Sequence, residues 1–276
     1  MAGTACHVLR FTTRLGLTWV LALMLTPDEV IDGYIGARER SGALHASYCS
    51  VPDDYDGSGT LGFNASGEDG LSSLKKKRRT EQWTEAFPSL SARYVVLAGR
   101  RLDQATFDAA TQVKGLEVLV VYQSCIESLG SVANAQSLVG VRVKSSKAIS
   151  GYSALARLSS LRSLTLDNPK GLTNLEFADA LTGLEDLSIF HNPDQWLLLD
   201  SLRPLSNLKH LQRLVLSGVK VASDGLKPLH GLPHLQNARL SYVFKASEFT
   251  ELLSATPSLE YGSAFEKHLI AEYCEG

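Results

Sequence analysis

The sequence predicts an α/β solenoid, a curved parallel sheet of about eight repeats with short helical or extended returns, behind a poorly ordered N-terminal leader. The first observation is a run of leucines, Leu-x-x-Leu-x-x-Leu-x-x-Leu-x-Leu, that extends from Leu155 to Leu166 and begins again at Leu181. The second is the period, because strand motifs recur at intervals of 22, 23, 23, 27, 24 and 24 residues. Such periods are typical of repeat architectures, in which stacked copies bury a shared core. The motifs begin at Leu116, Leu138, Leu161, Leu184, Leu211, Leu235 and Leu259.

Weaker copies at both ends complete the predicted array. One begins at Ala92, with Val95 and Leu97 in its apolar positions, and the last has Gly262 and Ala264 in place of leucines. An end repeat has a neighbour on one side and water on the other, so its pattern is expected to degrade.

Alternation within each motif predicts which face a side chain occupies. Successive residues of a strand point to opposite faces, so Leu164 and Leu166 are directed to one face and Thr165 to the other. The inward leucines of adjacent copies then form one continuous core, since no single repeat can bury its apolar residues alone. The outward residues lie side by side on the concave face, which solenoids use for binding.

These outward residues are the candidate binding site for another protein. They mix small polar groups with Tyr, Phe and Arg, which are enriched where proteins meet. The alternative for each position is an ordinary solvated sheet residue. The candidates are Val118, Val120, Tyr122, Arg142, Lys144, Thr165, Asp167, Asp186, Ser188, Phe190, Arg213, Val215, Asn237 and Arg239.

Trp196 is one further candidate, in the longest repeat. The copy that begins at Leu184 has 27 residues, whereas the two before it have 23, and the extra residues fall near Trp196. The indole is either a binding anchor close to Phe190 or a side chain that packs over the core. The sequence leaves both interpretations open.

A domain boundary is expected near residue 80. Residues 1–80 are the predicted leader, largely disordered, and residues 81–276 the repeat domain with terminal caps. Within the leader, residues 50–73 contain five Gly, five Ser and five acidic residues but no Lys or Arg. A segment of this composition buries too little apolar surface to offset its ordering entropy, so we interpret it as a linker.

A basic run, Lys75-Lys76-Lys77-Arg78-Arg79, follows the linker. Such a run is typical of a nuclear-import or polyanion-binding patch, or of a solvated stretch balanced by the acids upstream. From Thr80 to Phe87 the sequence predicts a short capped helix over the first repeat, ending at Pro88. Apolar and charged side chains alternate at helical spacing over residues 265–273, which are the predicted C-terminal cap.

An apolar run from Leu15 to Leu25 follows Arg10 and Arg14. Eleven residues are too few to span a bilayer, which needs about 20. The charge and length fit a signal peptide, but a small-x-small cleavage site does not follow. We expect a cytoplasmic protein, with a secreted or membrane-anchored surface protein as the alternative.

Residues 54–65 resemble the calcium loop of an EF-hand. Asp54, Asp56 and Ser58 stand at ligand positions 1, 3 and 5, and Gly59 at the sharp turn. Position 12 is Ala65, whereas the EF-hand loop places a bidentate Glu there. A calcium-responsive protein is therefore the second functional alternative.

Composition and motifs argue against an enzyme. The net charge of -2 gives the whole chain no attraction to nucleic acid or to an anionic membrane. The four cysteines are scattered without metal-binding spacing. Gly231 and Pro233 separate His230 from His234, so no helix presents both histidines to a metal. We expect a monomer that has no cofactor and whose partner is neither nucleic acid nor membrane.

The repeat unit of about 23 residues resembles the short class of leucine-rich repeats in internalins and phosphatase-regulatory proteins. The resemblance extends over residues 92 to 265 and implies a non-enzymatic scaffold that binds proteins. In one respect the sequence departs from that class, because the Asn that usually follows each strand is clear only at Asn192. We therefore expect irregular turns. The equivalent positions are Ser124, Ser146, Pro169, Val219 and Val243.

Overall fold

The computed structural model describes residues 49–66, 70–192 and 194–274, so the apolar segment predicted at residues 10–25 lies outside it. Within the described residues the strands are β1 (Thr60–Asn64), β2 (Tyr94–Ala98), β3 (Val118–Ser124), β4 (Gly140–Ser145), β5 (Ser163–Asp167), β6 (Asp186–Phe190), β7 (Leu197–Leu199), β8 (Arg213–Ser217), β9 (Val219–Val221), β10 (Asn237–Leu240) and β11 (Tyr261–Gly262). The α-helices are α1 (Ser73–Ala86), α2 (Gln104–Ala110), α3 (Ala246–Ala255) and α4 (Lys267–Tyr273). No helix in this part of the chain combines the length and apolar character that a membrane span requires.

One parallel sheet contains nine strands in the order β1-β2-β3-β4-β5-β6-β8-β10-β11. Every predicted strand motif is present, and each strand begins two residues after its marker, as β5 does after Leu161. Neighbours in the sheet are consecutive repeats, so the chain advances by one strand per repeat. The predicted α/β solenoid is confirmed.

The core lies between the sheet and the return segments. Leu164 and Leu166, predicted to point inward, are 0% and 1% exposed. After each central strand the chain returns through a short 3-10 helix that buries an apolar residue of its own, such as Leu155 or Leu205. These returns are Gly130–Asn134, Tyr152–Arg157, Glu176–Ala180, Arg203–Asn207 and Lys227–Leu229. Helices α2 and α3 make the equivalent returns nearer the two ends.

The linker prediction is wrong for residues 60–64, which form β1 and pair in parallel with β2. Leu61 and Phe63 are fully buried on the inner face of this strand. Two alternating apolar residues are enough to form a strand here, because the free edge of β2 supplies backbone hydrogen-bond partners. The solenoid therefore begins before residue 80, with one more strand than predicted.

Helix α1 covers this first strand and includes the basic run. It begins after Ser72, whose side chain accepts a hydrogen bond from Lys75 N (3.3 Å), and not at Thr80 as predicted. Trp83 is fully buried, and its ring centroid lies 5.3 Å from those of both Phe63 and Phe87. The predicted cap over the first repeat is thus present, but it is longer and covers β1.

The turns after the strands are irregular, as expected. Gln123 and Asn168 adopt left-handed backbone conformations with φ of 51° and 56°. Where the turn asparagine is missing, serine side chains form hydrogen bonds with backbone groups of the neighbouring repeats. Ser241 Oγ, for example, donates to Leu216 O (3.0 Å) and accepts from Val219 N (3.1 Å).

A second, two-stranded parallel sheet pairs β7 with β9. Strand β7 is built by the longer repeat, and it follows the insertion near Trp196. Leu197 and Leu199 point into the core, whereas Leu198 between them is 58% exposed. The extra residues therefore extend the fold on the return side, away from the nine-stranded sheet.

Candidate binding surface

The outer face of the nine-stranded sheet, opposite the core, is the face predicted to be concave. Its residues lie in rows across the strands because all neighbouring strands are parallel. The middle row is Val96, Val120, Arg142, Thr165, Ser188, Val215 and Arg239. The row beside it is Tyr94, Val118, Gly140, Ser163, Asp186, Arg213 and Asn237. A third row on the same face contains Tyr122, Lys144, Asp167 and Phe190. The sheet thus brings together fourteen of the fifteen predicted residues, all except Trp196.

Several of these residues are less exposed than solvated sheet residues would be. Thr165 and Ser188 are 3% and 0% exposed, and Arg142 and Asp186 are each 9% exposed. Strands about 4.8 Å apart leave little room between side chains, so larger neighbours cover the small ones. The residues that remain partly or fully exposed are Tyr122, Lys144, Asp167, Phe190, Arg213, Val215, Asn237 and Arg239.

An apolar patch occupies the outer face of strands β2 to β4. Tyr94, Val118 and Val120 are buried there, and they form a hydrophobic cluster separate from the main core. The partly buried members of the apolar patch are Val96, Tyr122 and Val139. The members are strand residues, or adjoin a strand in the case of Val139, so no helix or return segment among the described residues contributes to the cluster.

Sequence reasoning missed half of this apolar patch. Tyr94 and Val96 belong to the degenerate copy at Ala92, whose outward positions were not counted. The alternation that identified Val95 and Leu97 as inward residues also directs Tyr94 and Val96 outward. That signal was therefore available in the sequence.

Two arginines lie over the aromatic rings of the apolar patch. The guanidinium carbon of Arg93 is 5.4 Å from the ring centroid of Tyr94, and that of Arg142 is 5.5 Å from the ring of Tyr122. Both distances are within the range of cation–π attraction. Arg142 also lies 3.7 Å from Asp167, so it joins the apolar patch to the charged residues beyond it.

The charges in the middle of the outer face are paired across adjacent strands. Lys144 Nζ lies 2.9 Å from Asp167, and Arg213 forms a hydrogen-bonded ion pair with Asp186. Ser188 Oγ also donates to Asp186 at 3.3 Å. Burial raises the pKa of the Asp186 carboxyl, and the charge and hydrogen bonds of Arg213 oppose that shift.

Trp196 lies beside the two-stranded sheet and not on the outer face. It is 41% exposed, and Lys220 Nζ lies 4.7 Å from its ring centroid. The alternative in which this indole packs over the core is therefore wrong. Leu198, two residues further along the chain, is exposed as well.

The calcium-loop resemblance does not extend to an EF-hand structure. A helix should leave such a loop, but the chain enters β1 at Thr60 instead. Ala65, at the position of the bidentate Glu, is 2% exposed. Asp56 accepts a hydrogen bond from Ser58 N (2.9 Å), which lowers the pKa of its carboxyl. The described residues contain no group of three or more His, Cys, Asp or Glu side chains placed to hold a metal.

Comparison with protein-family profiles finds no match, and comparison with curated proteins finds none either. The described chain is a leucine-rich-repeat solenoid. That assignment follows from its own repeats and parallel sheet. Solved structures of similar fold include an internalin of Listeria monocytogenes, with 18% identity and a TM-score of 0.43 over 62% of this chain and 54% of that one.

Two further structures are similar at the same level. Internalin C2 of Listeria monocytogenes shows 20% identity and a TM-score of 0.40 over 59% of this chain and 75% of that one. A leucine-rich-repeat protein of Leptospira interrogans shows 16% identity and a TM-score of 0.45 over 74% and 53%. The chain spans about half the length of the first internalin and of the Leptospira protein.

Proposed function

We propose that this protein is a non-enzymatic interaction scaffold that binds a partner protein on the outer face of its sheet. The observation that carries the proposal is the apolar patch around Tyr94, Val118 and Val120. Parallel sheets are ordinarily covered on both faces, whereas the described helices and returns add nothing to this cluster. A partner protein would extend the cluster by covering its partly buried members, Val96 and Tyr122.

The exposed residues of the outer face suit such a contact. Tyr122 and Phe190 are partly exposed aromatic side chains, and Arg239 is exposed near the far end of the middle row. Tyr, Phe and Arg are the residue types enriched at protein interfaces. The central charges are already paired, so a partner could cover them without leaving a charge buried alone.

Site-specific photo-cross-linking in the full chain tests the location. A photoreactive amino acid at Phe190 is expected to capture the partner from native lysate. The same group at Arg157, an exposed position on a return segment, is the matched control and is expected to capture none of it. Capture of the same protein from Arg157 but not from Phe190 would move the site to the return side.

Affinity measurements with the captured partner test the chemistry. The double variant Tyr122→Ala, Phe190→Ala should weaken binding by about tenfold or more, since aromatic anchors dominate interface energies. Arg157→Ala should leave the Kd unchanged. An unchanged Kd in the double variant, with its melting curve intact, would contradict binding through these rings.

A further inference from the structure

We propose that a basic patch at the N-terminal end of the solenoid binds the surface of an anionic phospholipid bilayer. The basic patch consists of Lys75, Lys77, Arg78, Arg100 and Arg101, all of them exposed. The first three lie on α1. Arg101 Nη2 donates to Ser73 Oγ (3.3 Å), which brings the segment after β2 to the first turn of that helix. This proposal concerns a different surface from the outer face and does not depend on it.

The cations of α1 lie at the end of the helix where they are least favourable. A helix N-terminus carries a partial positive charge, which stabilises anions and disfavours cations. The first turn of the 14-residue α1 contains no acidic residue to offset Lys75 and Lys76. Sequences tend to break such local rules at functional sites. An anionic surface placed here would remove the unfavourable electrostatics.

An exposed leucine lies among these cations. Leu74 is 60% exposed in the first turn of α1, next to Lys75 in sequence and one helical turn before Arg78. At a bilayer surface an apolar side chain enters the headgroup region while Lys and Arg contact anionic lipids. Single-stranded nucleic acid is usually held by aromatic side chains that stack on bases. The aliphatic Leu74 therefore favours a lipid surface.

The net charge of -2 is a sum over the whole chain, so it does not describe the charge of one region such as the basic patch. In α1 the acidic residues Glu81 and Glu85 are confined to the second half of the helix, and Lys77 lies 3.7 Å from Glu81. Only charges within roughly one Debye length of a surface, about 8–10 Å, contribute to binding it. The whole-chain argument against a membrane therefore does not apply to this end of the molecule.

A groove between α1 and α2 adjoins the basic patch. It encloses about 760 Å³ and is lined in part by Lys76, Lys77, Thr84, Arg101 and Asp103. Because Glu81, Glu85 and Asp103 line it together with the cations, the groove does not suit a free phosphate. The exposed cations of the basic patch that do not line the groove, Lys75, Arg78 and Arg100, suit a flat anionic surface better.

Vesicle cosedimentation with the full chain tests the proposal. The wild type should bind vesicles containing about 30 mol% phosphatidylserine at least about 30-fold more strongly than neutral phosphatidylcholine vesicles. This preference should fall as salt is raised, because exposed charges are screened. The triple variant Lys75→Glu, Lys77→Glu, Arg78→Glu should bind both kinds of vesicle equally weakly.

A variant with the same change of charge elsewhere is the control. Arg157→Glu, Lys209→Glu, Lys227→Glu reverses three exposed cations on or next to the return segments and should keep the preference for anionic vesicles. Melting curves check that both variants fold. Equal binding of the wild type to anionic and neutral vesicles would overturn the proposal, as would unchanged binding by the first variant. Binding to a short single-stranded RNA but not to vesicles would overturn it in favour of nucleic acid.

Discussion

Charged residues on the outer face form ion pairs between neighbouring strands. Asp186 contacts Arg213 on the next strand of the sheet, and Lys144 contacts Asp167 in the same way. Separating Asp186 from Arg213 would leave a charge with little water, which costs more than the pair contributes. Under the proposed function a partner would cover the two pairs intact, and the exposed aromatic rings would decide where it binds.

The burial of Asp186 leads to a prediction about pH. A carboxyl whose pKa is raised by folding stabilises the protein below its unfolded pKa, and this contribution is lost as pH rises through the folded pKa. The difference in unfolding free energy between the wild type and Asp186→Asn should therefore fall as pH rises from about 3.8, then level off. Urea unfolding at a series of pH values measures this difference.

The opposite slope would reverse the conclusion about Asp186. If Arg213 outweighed burial, the folded pKa would lie below the unfolded value. The wild type would then gain stability over Asp186→Asn as pH rises. Leu198→Ala, a change at an exposed side chain without a titratable group, is the control and should show neither slope.

Gly218 permits the turn that joins β8 to β9, and its replacement should be costly. Its φ is 69°, and a Cβ atom added there would lie 2.3 Å from the carbonyl oxygen of His191. Gly218→Ala should therefore lower the free energy of unfolding by about 2 kcal/mol or more, through backbone strain and the clash together. Gly231→Ala has the same strain, with φ of 71°, but no atom within 4 Å, and should cost about 1 kcal/mol. Equal losses in chemical denaturation would show that the contact with His191 is relieved.

At the scale of elements, α1 completes the first repeat by closing over β1. Trp83 is fully buried against Phe63 and Phe87. Trp83→Ala should lower the free energy of unfolding by about 3–5 kcal/mol, the usual cost of a large cavity. Leu74→Ala changes an exposed residue of the same helix and should alter it by no more than about 0.5 kcal/mol. Similar stability of the two variants in urea unfolding would show that α1 is not part of the folded repeat.

The elements that the sequence predicted have a stronger apolar pattern than the elements that it missed. The eight predicted strands stand out because a buried parallel strand repeats its leucines at a fixed period. Strand β1 has only Leu61 and Phe63 to bury, within a segment of Asp, Gly and Ser, so composition obscured it. The start of α1 was missed because Ser72 caps a charged first turn instead of an apolar one.

The candidate site was predictable in position but not in exposure. Alternation places a residue such as Ser188 on the outer face whatever its neighbours are. Whether it is exposed depends on the side chains of the two adjacent strands, and periodicity does not report their sizes. Trp196 was harder still, because an insertion breaks the period and the sequence gives no register within it.

At the scale of the whole molecule, the two proposed surfaces occupy different parts of one solenoid. The basic patch lies on α1, which packs over the first strand, and on the segment after β2. The outer face runs along all the strands that follow. A chain held to a bilayer through the basic patch would present its outer face to a partner near the same membrane. The two proposals together therefore describe a solenoid with an anchoring end and a separate binding face.

Repeat stacking gives the last prediction, because each repeat contacts mainly its neighbours. Leu187 is fully buried in β6, where it pairs with Leu164 in β5 and Leu214 in β8. Leu187→Ala should lower the free energy of unfolding by about 2–5 kcal/mol. Hydrogen exchange should accelerate most in β5, β6 and β8, and least in β1 and β2. Leu198→Ala, at a residue that is 58% exposed, is the control and should leave exchange in these strands unchanged. Equal acceleration in all nine strands would show that the solenoid unfolds as a single cooperative unit.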